Sequence, residues 1–293
     1  MPDPFDDDRV TDLLDDADVL LLAVTSGDGP HVTPVAFDRE GDELWAVSPR
    51  RSVKVRAIAQ DARVGALVRH GDRALVLGCS ARLVDPLTGR GLGALPAPHR
   101  LPGAALGFLT RNDRRIGRVV RDHPSPTLAL SRLGIRLRVE RAVLLENDEL
   151  LATWGNWPSP AALLPGELPP CPPDLDGVPT GVADLLRHRQ GEAVLGWHSP
   201  LGAMALPARW DPAGLLHVPT AAMTCSGALG AGPACLTVVD GARTGRTIRG
   251  VLLRGNGRAR DHGASTEVTV AARRTVWWSG TRSGSTSRLT GSA

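Results

Sequence analysis

Short apolar runs separated by turn-forming residues dominate the first part of the chain. The segment "DVLLLAVTSGDGPHVTPVAFDREGDELWAVSP" (18–49) predicts three strands, because "SGDGP" and "REGDE" both favour hairpin turns. A helix is predicted at 6–17, another at about 51–60, and a third helical stretch at about 104–122. Further strands are predicted at 63–70, 73–85, 135–146 and 149–155.

A proline-rich segment interrupts this pattern. Residues 155–190 include "NWPSPAALLPGELPPCPPDLDGVP", which predicts an extended and fairly stiff linker, since so many prolines disrupt both helices and central strands. Strand patterns resume at 193 and continue to about 279. The sequence therefore predicts a first domain, a linker, a second domain and a low-complexity, disordered tail, at 1–154, 155–190, 191–280 and 281–293.

The second domain resembles a diverged copy of the first. "AVTSGDGPHVTPVAFD" (23–38) aligns without a gap with "GWHSPLGAMALPARWD" (196–211), sharing Ser, Gly, Pro and Asp positions. After a hairpin that is two residues shorter, 44–68 aligns with 215–239, again without a gap. Shared order and spacing over such a length indicate an internal duplication.

Composition excludes several classes of function. A chain of 293 residues is long enough for two domains, and the net charge of +3 is mild, with arginines interleaved with acidic residues, so no nucleic-acid partner is expected. The longest apolar run, "VLLLAV", is too short to span a bilayer, and the acidic N-terminus lacks signal-peptide features. We therefore expect a cytoplasmic protein without a membrane span. Four cysteines and eight histidines show no metal-ligand spacing, so no metal site is expected.

The start of the helix at 51–60 concentrates positive charge. Ser48 or Pro49 is suited to begin this helix, whose first turn carries unpaired N–H donors and partial positive charge. Lys54 is the single lysine among 34 basic residues. Like charges at a helix N-terminus repel each other and oppose the helix dipole, so an anion such as phosphate would explain them. The side chains concerned are Arg50, Arg51, Ser52 and Lys54.

The alternative is an exposed basic helix start that solvent screens. The second copy bears on this choice, because it keeps the strand pattern but loses every cationic or hydroxyl group of the motif. If these charges only improved solubility, one copy would not be expected to lose all of them. The residues that replace positions 50, 51, 52, 54 and 56 are Ala221, Ala222, Met223, Cys225 and Gly227. The first copy is therefore predicted to bind an anion, and the second to have lost that site.

The first domain resembles the flavin-binding split-barrel family that includes pyridoxamine 5′-phosphate oxidase. The resemblance rests on "DGPHVTPV", on a second hairpin ending in "VS", and on "RRSVK" opening a helix that closes with "QDARV". It covers about residues 10–85 well. It implies a six-stranded split β-barrel, pairing of barrels as homodimers, and FMN in the groove between them.

The same resemblance implies roles for particular residues. Ser52 and Lys54 match phosphate-binding positions, with Arg50 and Arg51 as additional phosphate ligands. Arg73 falls where family members often place a cofactor-contacting glutamine. Val47 and Ser48 match the strand end beside the ribityl and phosphate groups. The strand that lies along the isoalloxazine ring is matched by Thr33, Pro34, Val35 and Ala36.

The duplication adds an architectural expectation. The predicted fold is mainly β with α (α+β), two six-stranded split barrels in tandem that form an internal pseudo-dimer. One cofactor per chain would then lie between the repeats, and the second repeat would supply the other side of the cleft. Trp277 and Trp278 are candidates for covering the flavin ring, because a flat aromatic face suits stacking; packing at a strand end is the alternative.

The leading hypothesis is an FMN-dependent oxidoreductase that acts on a small molecule with a separate reductant, since a flavin itself carries the redox chemistry. The C-terminal arginine–histidine pattern of pyridoxamine phosphate oxidase is not recognisable in "WWSGTRSGSTSRLTG". Alternatives are a reductase that uses deazaflavin, a non-catalytic flavin-binding or sensor protein, and, more weakly, a haem-binding protein.

Overall fold

A computed structural model describes residues 3–17, 19–85, 132–159, 175–189, 191–210, 215–227, 230–240, 248–280 and 282–287. The helical stretch predicted at about 104–122 lies outside these residues. No helix in the described segments is long and apolar enough to cross a membrane. Below, residues up to 159 are called the first half and those from 175 the second half.

The first half closes into a six-stranded barrel, in the order β1-β2-β3-β6-β5-β4 and back to β1. A seventh strand, β7, extends β6 outside the closed ring. The mainly β, split-barrel class predicted from the sequence is thus found here. The elements are α1 (Asp8–Asp16), β1 (Val19–Ser26), β2 (Gly29–Glu40), β3 (Glu43–Pro49), α2 (Val53–Gln60), β4 (Arg63–His70), β5 (Arg73–Val84), β6 (Arg132–Glu146) and β7 (Glu149–Trp154).

The second half contains six strands that also pair in a ring, β8-β9-β10-β13-β12-β11 and back to β8. A further strand, β14, pairs with β13. The elements are α3 (Thr180–Arg187), β8 (Glu192–Ser199), β9 (Gly202–Trp210), β10 (Leu216–Pro219), α4 (Thr220–Cys225), β11 (Ala231–Asp240), β12 (Arg249–His262), β13 (Ser265–Ser279) and β14 (Arg282–Ser287).

Two parts of the chain differ from the sequence-based expectation. The segment predicted as an extended linker contains α3, which starts directly after Pro179 in a proline-free amphipathic stretch and buries Val182 and Leu185. The tail predicted to be disordered contributes β14, whose Gly284 lies against the Trp277 ring. Backbone pairing to an existing strand edge requires no apolar side chains, so a Ser- and Gly-rich sequence can add a strand there.

The apolar run in β1 is explained by burial on both faces. Leu20 and Leu22 point into the core of the first barrel, whereas the alternating residues Leu21 and Ala23 pack in a cluster dominated by the second half. Side chains alternate across a strand, so a strand with two buried faces carries no polar positions. β1 therefore lies between the two cores and joins the halves through apolar packing.

The halves also meet through their backbones. β4 pairs in parallel with β9 at Val64 and Ala203. A Cβ atom on Gly65 would lie 2.6 Å from the Ala203 carbonyl oxygen, so only glycine permits this approach. The Thr237 hydroxyl of β11 donates to the Val32 carbonyl of β2 at 2.9 Å. The two halves thus form one packed body, with β2 facing the second half.

Candidate functional site

The first barrel is split between β2 and β3. β2 pairs with β3 only over Phe37–Glu40, whereas its earlier residues pair with β1. Val47 and Ser48, at the end of β3, pair with β6 instead. The edge of β2 that carries Thr33, Pro34, Val35 and Ala36 is thereby left without β3 as a neighbour.

The helix α2 begins later than the sequence predicted. Its N-cap is Ser52, whose hydroxyl oxygen accepts from the Val55 amide at 3.2 Å. Ser48 and Pro49 belong to β3, so the expectation that either begins the helix is wrong. Position 52 is favoured because a serine with an extended backbone satisfies a free N–H of the first turn. Lys54 consequently lies in the first turn of α2, and Arg50 and Arg51 precede the helix.

Lys54 reaches across the split. Its Nζ donates a hydrogen bond to the Thr33 Oγ1 of β2 at 2.7 Å. The side chain is half-buried, and burial lowers the pKa of Lys54 to about 8 from 10.5. Within the described residues no carboxylate forms an ion pair with Lys54. A partly desolvated ammonium whose recorded partner is a neutral hydroxyl has donors left for an anion.

Ser52 adds a hydroxyl donor beside this ammonium. The Ser48 and Ser52 hydroxyls lie 2.9 Å apart, and Ser52 already accepts from a backbone amide. If Ser48 donates to Ser52, the O–H of Ser52 is available to donate to a ligand. The two residues predicted from the motif as phosphate ligands, Ser52 and Lys54, therefore lie on the same turn beside the split.

The arginines of the motif are placed differently. Arg50 forms a two-fold contact with the buried Asp85 carboxylate, with both N–O distances 2.5 Å, and this hydrogen bonding raises the pKa of Arg50. Its charge is therefore largely matched within the protein. Arg51 is exposed in the turn before α2. Both arginines lie outside the helix, which begins at Val53.

Three other predicted site residues lie among different partners. Arg73 is at the β4–β5 turn and pairs with Glu146 at 2.8 Å, and the carboxylates around it raise its pKa. Trp277 and Trp278 lie near the end of β13, partly buried, the first against Gly284 and the second against Gly250. The Nε1 of Trp278 is buried without a partner among the described residues.

The second half contributes charges that sequence reasoning missed. Arg254 of β12 is 5% exposed and donates to His31 Nδ1 of β2 at 2.7 Å and to Asp28 Oδ2 at 3.0 Å. Arg274 of β13 donates to the same Asp28 oxygen at 3.0 Å. One signal was present in the sequence, because Arg254 directly follows the apolar run "VLL" within the strand β12, and a buried arginine is rare.

His31 links the two groups of cations. It lies two residues before Thr33 on β2, and therefore on the same face of the strand. The pKa of His31 is lowered to about 3, first by burial and then by the positive charges of Lys54, Arg254 and Arg274. His31 is consequently neutral at physiological pH. The candidate site is the junction between the halves, where α2 and β2 of the first half lie near the arginines of β12 and β13.

Comparisons with known proteins give matches among solved structures. No protein-family profile and no curated protein matches the chain. Among solved structures, a putative pyridoxamine 5′-phosphate oxidase from Listeria innocua is 18% identical, with 48% of this chain and 97% of that chain covered and a TM-score of 0.33. A FAD-binding protein from Mesorhizobium loti is 18% identical, with 46% and 89% covered and a TM-score of 0.34. A structure described as an F420 reductase is 24% identical, with 45% and 93% covered and a TM-score of 0.33. Each of these similarities extends over just under half of this chain and over most of the other protein.

Proposed function

We propose that this protein is a flavin-dependent oxidoreductase that binds one FMN, or a deazaflavin, per chain in the cleft between its halves. The observation that carries the proposal is the Lys54 ammonium, half-buried at the split and hydrogen-bonded to the neutral Thr33. An ammonium in this state is stabilised by an anion, and burial lowers its pKa to about 8. Ser52 and Lys54 would hold the cofactor phosphate.

The residues present fit such a cofactor at both ends. The phosphate would meet Lys54 and the Ser52 hydroxyl, and the open edge of β2 from Thr33 to Ala36 would lie along the ring system. When bound, the flavin would supply the hydride and electron chemistry. The protein's own contribution would be to bind the phosphate, to orient the ring against β2 and to exclude water from the cleft.

The proposal includes an internal duplication, with the second half as a degenerate copy. Its strands pair in the same order as those of the first half, with a helix before the first strand and another between the third and fourth. The gapless alignment equates Thr33 with Leu206 and Lys54 with Cys225. Leu206 is fully buried. The equivalent cleft would therefore lack the phosphate ligands, and a single cofactor per chain follows.

The test is a titration of the cofactor-free protein with FMN and, separately, with a deazaflavin, followed by flavin fluorescence and absorbance. One molecule bound per chain, reduced on addition of NADH or NADPH, supports the proposal. Preference for the deazaflavin would assign that cofactor instead of FMN. A stoichiometry of two would contradict the loss of the second site, and a bound flavin that resists every reductant would leave a binding protein without redox activity. Binding of neither cofactor would refute the proposal.

A further inference from the structure

A cluster of charged and polar side chains crosses the junction between the two halves. It begins at the surface with Asp28 and Arg274, whose side chains are 60% and 43% exposed. It continues inward to Arg254 and His31, which are 5% and 7% exposed. Both arginines come from the second half, and Asp28 and His31 come from the first half. The cluster therefore exists only when the halves are packed together.

The positive charges of this cluster are not balanced. Among the described residues, Asp28 is the one carboxylate that the two arginines contact, through a single oxygen, and its side chain is 60% exposed. Lys54 lies close enough to lower the pKa of His31, as do both arginines. Three cations thus act on the neutral His31, and within the described part of the chain the exposed Asp28 is the carboxylate that contacts two of them. A partly buried excess of positive charge is costly unless an anion accompanies it.

The cluster also offers donors and few acceptors. The Nε of Arg254 is fully buried and has no partner among the described residues. Because a guanidinium only donates, the His31 Nδ1 that receives Arg254 must lack a proton. A neutral imidazole then carries its proton on Nε2. An unpaired arginine N–H would be satisfied by an oxyanion.

We propose that Arg254, with Arg274, forms a second anion subsite, distinct from that of Lys54, which binds a carboxylate or phosphate group of the substrate. The second half would thus select acidic small molecules for the cleft, although it has lost its own cofactor ligands. This role in substrate choice rests on the proposed function, whereas the anion subsite itself does not. Asp28 is a positioning residue, because it holds the two guanidinium groups side by side.

The experiment uses the full-length protein with Lys54→Met, which disables the cofactor-phosphate subsite. Calorimetric titration of this variant with inorganic phosphate, and separately with acetate, is expected to show binding. Adding Arg254→Gln should weaken that binding by about tenfold to a hundredfold, as expected for loss of a buried charge-assisted contact. The matched control is Arg258→Gln, at an exposed arginine of the same strand, which should change phosphate affinity by less than about twofold.

Two further measurements keep the result interpretable. Arg274→Gln, at a largely exposed position, should weaken phosphate binding by about threefold to tenfold without affecting folding. Absence of binding to the Lys54→Met protein, or binding that Arg254→Gln leaves unchanged, would overturn the subsite. So would an equal loss of FMN affinity in Arg254→Gln and Lys54→Met, which would place Arg254 in the cofactor-phosphate site. If FMN fails to bind while phosphate binding still depends on Arg254, the proposed function fails and the subsite remains.

Discussion

Replacing Lys54 by methionine should change ligand affinity and stability in opposite directions. The ammonium is half-buried, lacks a carboxylate partner within the described residues, and has a pKa lowered to about 8. In the ligand-free protein it is therefore a source of destabilisation, which methionine, an apolar side chain of similar length, would remove. In the FMN complex the same ammonium would be a ligand of the phosphate. A purely structural lysine would not combine these two effects.

The sizes of both effects follow from the structure. A pKa of about 8 in place of 10.5 means that the charge on Lys54 destabilises the folded protein by about 3 kcal/mol. Replacing Lys54 also removes its hydrogen bond to Thr33, which stabilises the fold by about 1 kcal/mol. Lys54→Met should therefore stabilise the ligand-free protein by about 2 kcal/mol near neutral pH. Loss of a charge-assisted contact to phosphate should weaken FMN binding by about tenfold to a hundredfold.

The pH dependence has a defined sign. Between the folded pKa of about 8 and the unfolded value of 10.5, the unfolded state binds more protons than the folded state. The free energy of unfolding of the wild-type protein should therefore rise with pH across this window, and the advantage of Lys54→Met should fade. FMN affinity should fall over the same range, because the ligand-free lysine loses its proton above about pH 8.

The assays are urea unfolding and FMN fluorescence titration, each carried out from neutral pH to about pH 10. Arg56→Gln, at an exposed position of the same helix, is the matched control and should change neither quantity appreciably. Lys54→Arg tests the shape of the cationic group, and we expect weaker FMN binding because a planar guanidinium is broader than an ammonium. If Lys54→Met lowers stability and leaves FMN affinity unchanged, the reasoning is wrong.

Three further predictions concern the junction. As pH falls from neutral to about 4.5, His31 gains a proton in the unfolded protein but not in the folded one, where its pKa is about 3. The free energy of unfolding, measured with urea, should therefore fall by about 3 kcal/mol over this range. An equal fall in the His31→Gln variant would contradict this. Gly65→Ala would bring a Cβ to 2.6 Å from the β9 backbone and should lower the free energy of unfolding by about 1–3 kcal/mol, as measured by thermal unfolding. Gly232→Ala, whose Cβ would have nothing within 4 Å, should lower it little, and equal losses would argue against the close approach of the two strands. Thr237→Val removes the 2.9 Å hydrogen bond to the Val32 carbonyl and should lower the free energy of unfolding by about 1–3 kcal/mol. Thr237→Ser keeps the hydroxyl and should preserve most of this stability, so equal losses in the two variants would exclude the hydroxyl as the cause.

Much of the secondary structure could be predicted from the sequence, because it depends on local patterns. Turn residues and apolar runs placed the strands of the first half within a few residues of where they lie. The amphipathic α1 was likewise predicted, at 6–17 against Asp8–Asp16. The start of α2 was missed by a few residues, because Ser48 and Ser52 are both possible caps and only the end of β3 decides between them. The strand β14 was missed because its sequence carries no apolar signal.

The site divides in the same way. Lys54 and Ser52 could be identified from a five-residue motif, since both lie on one turn beside the split. Which cations remain available was decided by tertiary contacts: Arg50 is occupied by Asp85, 35 residues away in sequence. Arg254 and His31 are 223 residues apart in sequence, and the residues around neither of them indicated that they would form a hydrogen bond. Local residue order determines most strands and turns and limits the possible helix caps, whereas the charge balance at the junction depends on which distant side chains the packing of the two halves brings within hydrogen-bonding distance.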